Sequence, residues 1–173
     1  MNSFQALLES NHYRLRLIII VLLVSNFASC GFHLAGSTSL PPQLASIQLL
    51  ADELSVTQIT MLKRQLKRAG ADLQDSSVGD AVRLRVTIKV LPDRKLADTA
   101  GSGKIIIRLF RQLDYVLSNA KGDPLLDQST ILRQIDVEGV SDNITGLEYE
   151  KQSAAELLDE ELIEQLIFQL KHL

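Results

Sequence analysis

The sequence predicts an α+β fold: a two-layer sandwich with two helices on one face of a four-stranded mixed sheet, in the order β-α-β-β-β-α. Three observations carry this. Residues 81–91 alternate apolar and polar at period two, Val82, Leu84, Val86, Ile88 and Val90 against Arg83, Arg85, Thr87 and Lys89. Two segments, one after Ser55 and one at the C-terminal end, repeat apolar residues at three and four. Each segment has a single apolar side, so helices and strands must bury those sides against one another.

The elements follow in chain order. Pro41 and Pro42 interrupt any helix and favour an extended approach. Residues 47–50 read as a short strand. Ser55, three residues before Gln58, forms a capping box for a helix whose stripe is Val56, Ile59, Leu62, Leu66 and Ala69. Lys67 and Arg68 suit the negative end of its dipole, and Gly70 stops it. The strand 81–91 comes next, then residues 92–103 as a polar loop ending in Gly101-Ser102-Gly103. Residues 104–118 form a long strand with apolar side chains on both faces, Ile106, Phe110 and Val116 opposing Ile105, Ile107, Leu109, Leu113, Tyr115 and Leu117. A turn at 119–124 precedes a strand at 125–138, and residues 147–171 form the long second helix. The β-α-β start implies a right-handed crossover, and the later strands an antiparallel meander.

Ahead of the domain, Arg14 and Arg16 precede eight apolar residues, Leu17 to Val24, and Ala28 and Ser29 lead into Cys30, the only cysteine of the chain. Positive, apolar and small-residue parts in that order make a secretory signal. Eight apolar residues fall far short of the roughly 20 that cross a bilayer as a helix. A lone cysteine in an exported chain has no disulfide partner within it. The arrangement resembles the lipobox of bacterial lipoproteins, in which the signal is cut before the cysteine and the thiol and new amino group are acylated. Three acyl chains exceed the two anchors needed for stable membrane attachment. The alternative is an ordinary secretory signal followed by a buried thiol. The organisation expected is a cleaved signal over 1–29, a lipidated N-terminus and tether over 30–45, and one domain over 46–173. The true start can also lie downstream of Met1. In the lipoprotein class, Asp after the cysteine retains the protein at the inner membrane. Gly31 and Phe32 stand here, which implies the outer membrane.

Charge is polarised along the chain. Residues 81–111 hold eight bases and two acids, whereas residues 136–173 hold ten acids and two bases. A net charge of −3 argues against general nucleic-acid binding, yet a basic face can still attract anions. No catalytic constellation emerges. His12 leaves with the signal, His33 adjoins the anchor and His172 is next to last; no H-E-x-x-H, G-x-S-x-G or phosphate loop occurs. The expectation is a protein that is not an enzyme and has no cofactor or metal.

Cys30-Gly31-Phe32-His33-Leu34 resembles the Cys-Gly-aromatic-x-Leu opening of the lipopolysaccharide-assembly lipoprotein family, LptE (RlpB). The likeness extends through Leu40-Pro41-Pro42, the helix end Leu62 to Gly70, three strands, the Asp142-Asn143 turn and the acidic C-terminal helix. The resemblance implies a plug and assembly partner inside the LptD β-barrel, inserting lipopolysaccharide into the outer leaflet. Such a plug needs a polar, mixed-charge exterior against a barrel lumen. Candidate bases for lipopolysaccharide anions are Arg83, Arg85, Lys89 and Arg108 on strands, with Arg94, Lys95 and Lys104 from the loop region. Ile106 and Phe110 are the apolar candidates. The alternative function is an independent outer-membrane lipoprotein, scaffolding another envelope machine or carrying an apolar ligand.

Overall fold

The computed structural model describes residues 39–51, 53–75, 81–99, 103–140 and 143–173. Cys30 and the signal lie outside these. The elements are β1 (Ser46–Leu50), α1 (Val56–Arg68), β2 (Asp72–Gln74), β3 (Val82–Thr99), β4 (Lys104–Ser118), β5 (Pro124–Val140) and α2 (Ile144–Lys171). They build the expected two layers, but the sheet has five strands, in the order β2-β1-β3-β4-β5. The fifth is β2. Three residues leave no periodic signal, and β2 exists because α1 returns the chain beside β1, where Ser46 to Gln48 pair in parallel with Asp72 to Gln74. On its other side β1 pairs in parallel with β3, and β3, β4 and β5 form the antiparallel meander.

The capping box forms as expected: Ser55 Oγ accepts from the Gln58 amide at 3.2 Å, and Gln58 Oε1 accepts from the Ser55 amide at 2.8 Å. Gly70, at φ +92°, ends α1 in the left-handed region that glycine adopts freely. At the other helix, Asn143 caps the first turn by accepting from the Gly146 amide at 3.0 Å, so α2 starts three residues before the periodic stripe does.

The largest departure is the segment expected to be a polar loop. Strand β3 continues through Pro92 to Thr99. The cause is β4. Ile105, Ile106 and Ile107 strongly favour strand, and they pair across with Asp98, Ala97 and Lys95. Two register shifts, between Leu91 and Arg94 and between Lys95 and Ala97, accommodate the mismatch. Pro92 falls inside the first, where a missing N–H costs no ladder bond. Residues counted with the tether also join the domain: Leu40 and Leu44 lie in the core, and the Leu40 amide donates to Ala69 O at 2.9 Å.

Helices cover one face only. The main core joins Leu62 and Leu66 of α1, Leu84 and Val86 of β3, Leu113 and Leu117 of β4, and Leu162, Leu166 and Leu170 of α2. Each such side chain contributes about 1.5–3 kcal/mol on burial. Tyr115 adds a polar anchor, donating from its hydroxyl to Gln169 Oε1 at 2.9 Å. A second, smaller cluster of Leu109, Val137 and Leu158 lies under the first half of α2, with Leu147 packed against it. There α2 comes close to β5: a Cβ on Gly139 would stand 2.5 Å from Leu147 Cδ1 and 3.3 Å from its Cβ and Cγ. Gly139→Val is therefore expected to destabilise the domain by about 1–3 kcal/mol through overpacking. Chemical denaturation checks this, and a midpoint unchanged from the parent would contradict the close packing.

Candidate functional site

The sheet face turned away from the helices is the candidate site, and register decides what it carries. Cross-strand partners share a face, so Arg83, Arg85, Thr87 and Lys89 of β3 stand beside Ser118, Val116, Asp114 and Gln112 of β4. Leu91 lies opposite Phe110, and Arg94 opposite Arg108. On β5 the same face continues through Thr130, Leu132, Gln134, Asp136 and Glu138.

Asp114 organises one end of this face. It is 7 % exposed and accepts three hydrogen bonds: from Lys89 Nζ at 2.7 Å, Thr130 Oγ1 at 2.7 Å and Gln112 Nε2 at 2.8 Å. Burial works to raise its carboxyl pKa, but the bonds from Lys89, Thr130 and Gln112 outweigh burial and hold it below the ordinary carboxylate range. Lys89 is raised in turn by Asp114. A shallow concavity of about 280 Å³ adjoins the group, lined by Arg85, Thr87, Lys89, Asp114 and Gln128 among others.

At the other end Arg108 grips Asp136 through two parallel bonds, Nε to Oδ1 at 2.6 Å and Nη2 to Oδ2 at 2.7 Å. That bond lowers the Asp136 pKa and raises that of Arg108. Lys104 pairs with Glu138 at 2.7 Å near the hairpin tip. Between the two polar ends, Leu91 and Phe110 pair directly, and Leu132, 51 % exposed, is opposite Gln112, the next position along this face from Phe110. An apolar step crossing three strands is thus bounded by bases on both sides.

The sequence-predicted residues divide accordingly. Arg83, Arg85, Lys89, Arg94, Lys104 and Arg108 share the open face, and so do Ile106 and Phe110. Lys95 does not: its partner is Ile107, so it stands on the helix side, in an ion pair with Asp98. Arg83 donates from Nε to Gln48 Oε1 at 3.2 Å. Among the described residues Arg85 and Arg94 make no hydrogen bond or ion pair, which leaves their charge available to a ligand. Asp114, Leu91 and Leu132 are additions from the structure. The phase of β4 places Asp114 with Arg108, and that of β3 places Leu91 with Lys89, but Leu132 joins them only through pairing register.

No protein-family model matches the chain, and no curated protein matches it. Solved structures do resemble it. A lipoprotein B from Nitrosomonas europaea superposes with a TM-score of 0.63 at 16% identity, over 82% of this chain and 90% of that one. A minor lipoprotein from Acinetobacter baumannii gives a TM-score of 0.58 at 16% identity, over 75% of this chain and 94% of that one. At these identities the likeness establishes a shared fold.

The Asp114 group predicts an acid dependence. Because its folded pKa is depressed, its stabilisation is complete above the ordinary carboxylate range and is lost as pH falls through the folded value. Asp114→Asn should lower stability at pH 7 by about 1 kcal/mol and flatten the fall in stability below pH about 4. Denaturant titrations of both proteins from neutral to acid pH measure it; parallel curves would contradict the assignment.

Proposed function

We propose that this chain is an outer-membrane lipoprotein of the LptE type, anchored through acylated Cys30. It acts as plug and assembly partner of an LptD-type β-barrel, in the insertion of lipopolysaccharide into the outer leaflet. The open sheet face is the observation that carries this reading. Leu91, Phe110 and Leu132 offer an apolar step to an acyl chain, and Arg85 and Arg94, unpaired among the described residues, stand on either side for phosphate or carboxylate groups. The fold shared with two lipoproteins supports the same assignment, as does the lipobox. The face neutralises much of its own charge through Arg108–Asp136, Lys104–Glu138 and Lys89–Asp114. Internally paired, mixed-sign charge suits contact with the polar wall of a barrel, where unpaired charge would be costly.

The role is binding and support, not catalysis. The bases also differ in what they can do. Lys89 and Arg108 hold the face together, whereas Arg85 and Arg94 are free to meet a ligand. Arg85→Glu combined with Arg94→Glu is therefore expected to weaken lipopolysaccharide binding by about tenfold while leaving the thermal midpoint close to that of the parent. Binding of labelled lipopolysaccharide to the detergent-solubilised protein reads the effect. Unchanged affinity in the folded double variant would remove the site from this face. For the partner, a tagged chain extracted from outer membranes should bring down a large β-barrel in equal amount. Recovery of the chain alone, under conditions that preserve membrane complexes, would favour an independent lipoprotein.

A further inference from the structure

The two edges of the sheet differ. On one side β2 ends it with three residues, but on the other β5 runs for 17. From Ser129 to Val140 it pairs with Tyr115 back to Lys104 without a register shift, and no described strand pairs with its outer edge. An edge strand points main-chain N–H and C=O groups outward, and native proteins usually guard a long edge with proline, a bulge or charges. Residues 125–140 contain no proline. Arg133 bonds Gln165 at 3.0 Å. Asp136 and Glu138 pair with Arg108 and Lys104 but keep 42% and 61% of their side chains exposed, within reach of a further base. Asp127 lies outside the evenly paired run, at the hairpin end. The edge is left open.

Beside it runs a groove of about 510 Å³ between β5 and α2, lined by Ile135, Asp136, Glu138, Glu150, Ala154 and Leu157 among others, with no base in its lining. The two sides of the edge differ in chemistry. Ile135 faces the helices and lines the groove together with Ala154 and Leu157, whereas Asp136 and Glu138 face the open side. A strand added along β5 would alternate in the same way, since successive side chains point to opposite faces. We propose that the edge of β5 accepts an extended polypeptide segment of a partner protein as a sixth strand, with apolar side chains towards α2 and basic ones towards Asp136 and Glu138. Glu150 provides one further acidic contact at the helix side. Main-chain bonds supply the affinity in this mode, and the alternating pockets supply the selectivity. A second copy of this chain fits the edge poorly, because it would bring two acidic flanks together. The proposal is independent of the lipopolysaccharide reading.

The test uses the full chain in detergent micelles and a synthetic peptide of alternating lysine and valine, eleven residues long. Hydrogen exchange of residues 129–140 is followed with and without peptide. The expected result is micromolar binding and exchange slowed by about tenfold or more along β5, as strand addition requires. Glu150→Lys with Leu157→Asp, both at exposed positions, should weaken binding by about tenfold. A control peptide with proline at its centre cannot complete the ladder and should bind much more weakly. Equal binding of that control would reduce the effect to charge alone and overturn the proposal. Protection on β3 in place of β5 would overturn it too, as would a dimer of the free chain that already protects the β5 edge.

Discussion

Everything else in this domain depends on one packing constraint: α2 has to bury its Leu158, Leu162, Leu166 and Leu170 stripe along the meander of β3, β4 and β5. With 28 residues the helix is about 42 Å long, enough to run the length of the hairpin. That length explains why β3 and β4 extend so far, since a shorter hairpin would leave the first turns of α2 without a floor. It also consumes the helical material. With α1 over β1 and β3, no described helix covers the opposite face, so the sheet presents a second surface that is held together by its own ion pairs.

The contact beneath α2 is not uniformly apolar. Arg111 and Arg133 are direct cross-strand partners on the helix side, between the two hydrophobic clusters. Arg133 is satisfied by Gln165. Arg111 stands 3.8 Å from Asp159 Oδ1, beyond hydrogen-bond reach, while Asp159 Oδ2 accepts from Gln58 Nε2 at 2.8 Å. Burial pushes the Asp159 pKa up against the pull of Gln58 and Arg111. A polar seam of this kind contributes little net stability, since desolvation offsets most of the attraction. What it does is fix the position of α2, because a shift by one turn would strand two arginines under an apolar surface. Lys151 of α2 reinforces the setting, reaching Asp93 in the bulge of β3 at 3.1 Å.

Layer architecture, the caps of α1 and the phase of the strands up to the bulge of β3 were legible in the sequence, because burial on one face writes a period into the residues. Val82 to Val90 and Leu62 to Leu66 state their facing outright. Pairing wrote no such period. Residues 92–99 carry the composition of a loop, and only Ile105 to Ile107 across the hairpin make them a strand. Lys95 sits two residues beyond a bulge, so its face could not be counted from Lys89. β2 is a product of the crossover and has no pattern of its own. On the candidate site, the bases of β3 were visible by alternation, but which of them are free was not. Lys89 is tied by Asp114, some 25 residues away in the chain, whereas Arg85, two positions from it on the same face, has no partner among the described residues.

In the proposed role the open sheet face, and not the outer side of the helices, meets lipopolysaccharide. Photo-crosslinking in intact cells tests it most directly, with the reactive group placed at Thr87 or Phe110 on the open face and at Glu160 on α2. Crosslinks to lipopolysaccharide are expected from Thr87 and Phe110 and none from Glu160. Crosslinks from Glu160 alone would contradict it and move the contact to the helical side.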